Sequence, residues 1–175
     1  LLKEKLQGSG GGASNVAYLL GKWNADVQFA GVVGYDDLGS SVKKELDSVG
    51  VHTGFLETNY ERKTTSTYII VNKKTTSRTQ MIIEPEVFHL RKYEFDFTPE
   101  IIYSDGYEYS ATQTAFNKYP NAITVLGAGI NAADEKEVLA LAKYAKYVIM
   151  SIDLAVKVSK ITGNVNEAST LLALY

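Results

Sequence analysis

Apolar residues recur along this chain with two different periods, and each period predicts a different kind of element. The apolar face of a helix predicted over about 15–23 recurs every three or four residues and comprises Val16, Leu19, Leu20 and Trp23. We expect this helix to end at Asn24, because asparagine is the non-glycine residue that best adopts a left-handed backbone. The nearly continuous apolar run from Val27 to Gly34 then predicts a central strand of a parallel sheet, covered on both faces.

The alternation of helices and strands continues along the rest of the chain. Further helices are predicted over 38–49, 111–119 and 135–144, and further strands over 101–104, 123–126 and 148–150. Strands that alternate with helices are typical of a sheet built from βαβ units. The sequence therefore predicts an α/β fold with a doubly wound, mainly parallel sheet and helices on both faces.

Residues 64–83 break this alternation. Two runs rich in threonine, β-branched and aromatic residues flank a polar turn at 72–77. Such a pair predicts a β-hairpin rather than a βαβ unit. We expect it to form a small separate sheet, as part of an insertion over about 55–98, that could serve as a lid over a ligand or as a homodimer surface.

The composition limits the class of protein. A chain of 175 residues with 45% hydrophobic residues is long enough for one core and short for two, so one domain is expected. The net charge of −2 gives no general attraction to nucleic acid or to an anionic membrane surface. The absence of cysteine excludes disulfides and thiolate chemistry and favours a reducing compartment, the cytoplasm. No apolar run approaches the roughly 20 residues that cross a bilayer.

A glycine cluster over residues 8–12 leads directly into the first helix. Bare backbone at a helix start can present N–H groups and partial positive charge to a ligand. A phosphate loop would need Lys-Ser or Lys-Thr after its last glycine, and a dinucleotide fingerprint would need a preceding buried strand, so both fit poorly. The alternative is a flexible turn in which Ser14 or Asn15 caps the helix.

Several short motifs occur in one order along the chain. They are Gly10-Gly11-x-x-x-Asn15-x-Ala17, Gly34-x-Asp36-x-Leu38-Gly39, Leu46-x-x-x-Gly50-Val51, Ser104-Asp105-Gly106 and Ser151-x-Asp153. This order resembles the signature of ribokinase-like (PfkB) carbohydrate kinases and spans nearly the whole chain. The resemblance implies a ribokinase-like fold and the transfer of a phosphoryl group from ATP, with Mg²⁺, to a hydroxyl of a small sugar.

The resemblance also implies that parts of the family's machinery lie outside this sequence. The family's opening strand is expected before Leu1, and its Gly-Ala-Gly-Asp segment, with the catalytic aspartate, is expected after Tyr175. We therefore expect a partial domain over 1–175 that supplies the sugar-binding side, with the nucleotide-binding half absent and no turnover of its own. Around Ser151 the Asn-x-x-Glu pattern that many members use near the metal is missing, so no metal ligand is assigned.

Five residues are candidates for binding the sugar. The resemblance points to Gly10, Gly11 and Asn15, and an asparagine amide suits sugar hydroxyls because it both donates and accepts. Asp105 resembles the acidic residue that family members place near the sugar or the phosphoryl path; the alternative is that it caps the next helix. Arg78, after the hairpin turn, could clamp a polar group of the substrate, although most charged residues near turns are only solvated.

Other polar residues are interpreted as structural. Asp36 and Asp37 could suit magnesium, but capping of the next helix is favoured. His52 and His89 lack a metal-ligand spacing. The Gly127-Ala-Gly129 segment is interpreted as a close turn after a strand.

Two rival functions remain open. A protein of the same fold that binds a sugar without catalysis would lack the aspartate expected after Tyr175. A dehydrogenase would need an acidic residue that closes the second strand after the glycine cluster, and the strand that follows the cluster ends in Gly34-Tyr35-Asp36.

Overall fold

The structure of the chain, a computed structural model, describes residues 6–83, 90, 95–128 and 135–162, with only the backbone of residues 159–162. The helices are α1 (Gly12–Lys22), α2 (Asp37–Asp47), α3 (Tyr109–Lys118), α4 (Glu135–Ala142) and α5 (Ile152–Thr162). The strands are β1 (Gln28–Gly34), β2 (His52–Asn59), β3 (Ser66–Val71), β4 (Arg78–Ile83), β5 (Ile101–Ser104), β6 (Ile123–Ala128) and β7 (Tyr147–Met150). Within these ranges no helix is both long and apolar enough to cross a membrane.

The described residues divide into two compact units. The first contains those of residues 1–10 and 14–90, and the second contains those of residues 11–13 and 91–175. In the first unit, β1 and β2 pair in parallel, with a register shift between Gln28 and Ala30. Three buried residues form its small core: Ala17 from α1, Leu46 from α2, and Val51 just before β2.

The hairpin of the first unit is an antiparallel pair. β3 and β4 pair from Ser66 with Ile83 to Val71 with Arg78, which confirms the predicted hairpin. The strand period of two divides its residues between two faces. One face carries Tyr68, Ile70, Met81 and Ile83, and the other carries Ile69, Val71, Arg78 and Ile82. Every one of these side chains is exposed.

The second unit is a three-stranded parallel sheet in the order β5-β6-β7, with α3, α4 and α5. Alternate strand residues such as Leu126 and Ala128 pack against Phe116 of α3 and Val138 and Leu141 of α4. Leu126, Val138 and Leu141 are fully buried, as a close-packed core requires.

Most predicted elements are confirmed within a few residues of their ends. Asn24 has φ 59° and ends α1, as its left-handed preference predicted. The strand β2 was not predicted. In the described residues β1 pairs only with β2, so the predicted central position of β1 is not observed there. Gly127 and Ala128 lie inside β6, so the predicted turn does not begin at Gly127. Gly129, His89 and the chain after Thr162 lie outside the described residues.

Candidate functional site

Asp105 lies directly after β5, at the carboxyl end of the parallel sheet of the second unit. The chain turns there through Gly106, whose φ of 82° is a left-handed conformation that suits glycine. The Asp105 carboxylate accepts a hydrogen bond from the Tyr107 N–H (3.3 Å), and the Ser104 hydroxyl accepts one from the Gly106 N–H (3.1 Å). These contacts hold Asp105 at the sheet edge where open α/β sheets place functional groups.

The same carboxylate also meets the start of α1. Its Oδ2 atom accepts a hydrogen bond from the backbone N–H of Ala13 (3.1 Å), and residues 11–13 belong to the same unit as Asp105. Gly11 has φ 101°, which allows the chain to enter the helix through a bend that other residues rarely adopt. A Cβ atom on Gly12 would lie only 3.0 Å from the Asp105 Cβ, so the missing side chain allows this approach.

This arrangement joins a carboxylate to the positive end of a helix. The first N–H groups of a helix have no partner within it, so they are free to bind acceptors near the helix start. A carboxylate has about four acceptor positions, and the hydrogen bonds from Ala13 and Tyr107 leave room for a ligand hydroxyl. Hydroxyl groups, which both donate and accept, match such a pair of groups.

The structure revises two of the capping alternatives. Asp105 does not cap α3, the next helix; the N-cap residue of α3 is Glu108, which makes no side-chain capping bond, and Asp105 contacts α1 instead. Asn15 lies inside α1, three residues after its first residue, so it is not the cap of that helix. Ser14 is also inside α1, where its hydroxyl donates to the carbonyl of Gly10.

The remaining candidates belong to the first unit. Gly10 accepts the Ser14 hydroxyl bond, and the side chain of Asn15 is exposed. Arg78 is the first residue of β4 and is exposed. Among residues 6–83 no hydrogen bond connects Arg78 with Gly10 or Asn15. Their roles in binding a sugar therefore stay predictions.

Asp36 caps α2, as the sequence predicted. Its Oδ1 atom accepts a hydrogen bond from the Gly39 N–H (2.8 Å). Burial opposes ionisation, but hydrogen bonds from Thr64 and Gly39 and the charge of Lys63 outweigh it and lower the pKa of Asp36 below 3.8. In the part of the chain that the structure describes, no group of three His, Asp or Glu side chains could hold a metal ion.

Tyr103 is a residue of this sheet edge that the sequence analysis missed. It precedes Asp105 by two positions, so the period of a strand places both on one side of β5. Its ring covers Gly127 of β6, where an added Cβ atom would lie 2.6 Å from the ring carbon Cζ. Burial, and then the charge of Asp105, raises the pKa of Tyr103 above 10.0. The period of two was the signal that could have identified it.

A shallow groove in the first unit has a volume of about 360 Å³ and is lined by residues that include Gly21, Asn24, Asp26 and His52. His52 Nε2 lies 3.5 Å from Asp26 Oδ1, and both side chains are largely exposed. The groove lies where β1 and β2 begin. Ligands of open α/β sheets bind at the opposite ends of the strands, so we do not assign it a function.

Known structures share this fold. A fructokinase from Xylella fastidiosa has a TM-score of 0.76 and 18% identity, over 99% of this chain and 61% of that one. A putative ribokinase from Agrobacterium tumefaciens has a TM-score of 0.77 and 18% identity, over 91% of this chain and 53% of that one. A fructokinase from Vibrio cholerae O395, in a form with bound fructose, ADP and calcium ion, has a TM-score of 0.67 and 19% identity. The match covers 93% of this chain and 59% of that one.

These similarities define the chain as an α/β protein with a ribokinase-like fold, as predicted. The sequence model of the pfkB family of carbohydrate kinases matches residues 3–172 of this chain. The chain therefore belongs to the pfkB family of carbohydrate kinases, and the dehydrogenase alternative is set aside. It spans between half and two thirds of the length of the solved relatives described here.

Proposed function

We propose that the whole protein transfers the γ-phosphoryl group of ATP to a hydroxyl of a small sugar or sugar derivative, and that this chain supplies the sugar-binding side. Membership of the pfkB family supports the general activity. The fructose and ADP in the Vibrio cholerae relative support a sugar acceptor and a nucleotide. We further propose that the protein acts in the cytoplasm, since the absence of cysteine from these 175 residues fits a reducing compartment.

The observation that carries this proposal is the contact between Asp105 and the start of α1. The carboxylate accepts the Ala13 N–H, and the neighbouring Gly11 and Gly12 leave the backbone bare. The carboxylate can accept a hydrogen bond from one sugar hydroxyl, and backbone N–H groups at the helix start can donate one to another hydroxyl at the same place. Gly10, Asn15 and Arg78 are proposed as further sugar ligands because of their places in the family motif and after the hairpin turn.

Phosphoryl transfer depends mostly on positioning and on stabilisation of charge. We propose that the β3–β4 hairpin acts as a lid that orders when the sugar binds and excludes water from the reaction. The calcium ion of the Vibrio cholerae relative supports the use of a divalent metal, and we propose Mg²⁺. The described residues include no group of side chains that fits a metal ion. We therefore propose no role for these residues in binding the metal.

The proposal is tested with the whole protein and a panel of sugars. ADP release is measured with each sugar in a coupled assay, and sugar binding is measured by calorimetry. We expect turnover with at least one sugar and a loss of affinity of about tenfold or more for Asn15→Ala, because an amide that hydrogen-bonds a sugar hydroxyl is removed. Asn117→Ala, an exposed asparagine of α3, is the control. Unchanged affinity for Asn15→Ala would remove Asn15 from the site.

The second candidate is a sugar-binding or regulatory protein of the same fold that does not transfer phosphate. The same experiment separates the two functions. Calorimetric binding of a sugar without ADP release from any member of the panel would favour binding alone. ADP release that depends on the sugar would favour the kinase.

We also propose that two copies associate through the hairpin. A two-stranded sheet with exposed apolar residues on both faces is marginally stable without a partner. Since Arg78 is proposed to face the sugar, the face with Tyr68, Ile70, Met81 and Ile83 is assigned to the second copy. Contact between two copies would bury the apolar side chains of this face, which the hairpin alone leaves exposed.

Sedimentation equilibrium tests the dimer. We expect the wild type to be a dimer and Ile70→Lys to be a monomer, because a lysine would have to be buried in the interface. Ile69→Lys, on the opposite face, is the matched control and should remain a dimer. A monomeric wild type would contradict the dimer, and a dimer lost only by Ile69→Lys would assign the interface to the other face.

A further inference from the structure

The hairpin of the first unit has little packing of its own. All of β4 and every residue of β3 after Ser66 are exposed. Its position therefore depends on the segments that connect it to the rest of the unit. The segment after Ile83 lies outside the described residues, and the segment before β3 is residues 60–65.

Four hydrogen bonds connect Gly34, Asp36, Gly39 and Thr64, and three of them involve Thr64; we call these four residues the Thr64 junction. The Thr64 hydroxyl donates to Asp36 Oδ1 (2.6 Å) and accepts from the Gly34 N–H (2.9 Å). The Thr64 N–H donates to Asp36 Oδ2 (2.8 Å), while Asp36 Oδ1 also accepts from the Gly39 N–H (2.8 Å). One carboxylate thus binds both the start of α2 and the segment that enters β3.

The two glycines of the junction are needed for this close packing. A Cβ atom on Gly34 would lie 2.5 Å from both the Arg62 carbonyl oxygen and the Thr64 nitrogen. A Cβ atom on Gly39 would lie 2.9 Å from the Thr64 hydroxyl oxygen. Because most of these neighbours are backbone atoms, a side chain at Gly34 would displace the segment rather than a flexible group.

The other end of the segment is also held. The Tyr35 N–H donates to the Asn59 carbonyl (2.8 Å), and the rings of Tyr35 and Tyr60 have centroids 4.9 Å apart. Asn59 Oδ1 accepts a hydrogen bond from the Glu61 N–H (2.8 Å). The chain therefore leaves β2 and enters β3 through a segment that is fixed at both of its ends.

We propose that Asp36 and Thr64 are positioning residues that set the orientation of the β3–β4 hairpin. They act through the hairpin and touch no substrate. Hydrogen bonds to an ionised carboxylate are stronger than neutral ones, so the Thr64 junction can resist the motion of a poorly packed hairpin. This inference rests on the proposed function in one respect: a hairpin oriented in advance loses less conformational freedom when it orders over a sugar.

The variants are made in the whole protein. Thr64→Val removes the hydroxyl and keeps the shape, whereas Thr64→Ser keeps the hydroxyl and should restore function. Thr58→Val, at an exposed threonine of β2, is the matched control. Asp36→Asn, with the exposed neighbour Asp37→Asn as its control, tests the same junction from the carboxylate side.

Two measurements are compared. Hydrogen exchange of residues 66–83 without any ligand should be about tenfold faster in Thr64→Val than in the wild type, because a charge-assisted hydrogen bond is lost. The KM for the sugar should rise about tenfold while kcat changes by less than about twofold, because the contacts made to the reacting groups are intact. Thr64→Ser and both controls should resemble the wild type.

Each other outcome contradicts the inference or separates it from the proposed function. Unchanged exchange of the hairpin in Thr64→Val, or a Thr64→Ser variant as impaired as Thr64→Val, overturns the positioning role. Hydrogen exchange that rises equally across the first unit also overturns the positioning role, since such a rise shows only a general loss of stability. If the wild type phosphorylates no sugar, the proposed function fails, and the exchange comparison still decides the role of the junction.

Discussion

The carboxylate of Asp105 accepts a hydrogen bond from the backbone N–H of Ala13, and this contact joins residues 92 positions apart. Asp105 thereby does for α1 what a local capping residue usually does, although it is supplied by another part of the chain. An acidic side chain at a helix start is also favoured by the helix dipole. The carboxylate can therefore stabilise the helix start and remain close to bare backbone that could bind a ligand.

Removal of this carboxylate should affect both stability and sugar binding. We expect Asp105→Ala to lower the free energy of unfolding by about 1 kcal/mol, the usual effect of a lost helix cap. Calorimetry on the whole protein should also show a loss of sugar affinity of about tenfold or more. Asp96→Asn, at an exposed aspartate of the second unit, is the control for surface charge. A stability loss with full sugar affinity would limit Asp105 to a capping role.

Gly12 should be intolerant of a side chain for a related reason. The Cβ atom of Gly12→Ala would press against the Asp105 Cβ at 3.0 Å, so the helix start or the carboxylate must move. We expect a loss of about 1–3 kcal/mol in urea unfolding and a parallel loss of sugar affinity. Gly8→Ala is the matched control, because a Cβ atom there meets nothing within 4 Å. Equal behaviour of the two variants would contradict the close approach.

Much of the fold was predictable because its signals are local. The period of α1 and the left-handed preference of Asn24 act within a few residues, and both predictions are confirmed. β2 was missed because it is only partly buried and mixes Gly54 and Glu57 with apolar residues, which obscures the alternation. Elements with weak local patterns are defined by their pairing, here by the register with β1.

The candidate site was predictable only in part. Asp105 could be selected because it ends a predicted strand, which is a local feature. Its partner at Ala13 is a backbone N–H, which every residue except proline carries, so nothing in the sequence marks it. The hydrogen bonds between Asp36 and Thr64 were also missed, because they join residues 28 positions apart and no local pattern relates the two.

Tyr103 and Gly127 should be energetically coupled. Because the ring of Tyr103 covers Gly127, the Cβ atom of Gly127→Ala would lie 2.6 Å from ring carbon Cζ and force the ring away. We expect Gly127→Ala to cost about 1–3 kcal/mol in the wild type and much less in a Tyr103→Ala background. Urea unfolding of the four proteins measures this coupling, and Gly54→Ala, which meets nothing within 4 Å, is the control. Additive losses would contradict the packing.

Acid should weaken the contact between Glu45 and Ser9. Glu45 Oε2 accepts hydrogen bonds from both the hydroxyl and the backbone N–H (3.0 Å) of Ser9, and these bonds lower the pKa of Glu45 below 4.5 despite partial burial. A pKa that is lower in the folded state stabilises the protein above about pH 4.5, and this contribution is lost as the pH falls through the folded-state pKa. We therefore expect Ser9→Ala to cost about 1 kcal/mol in urea unfolding at pH 7 and progressively less as the pH falls below 4.5. The control is Ser40→Ala, at an exposed serine of α2, whose cost should not depend on pH. A cost for Ser9→Ala that stays constant into acid would show that the Glu45 carboxylate does not stabilise the protein through its bonds to Ser9.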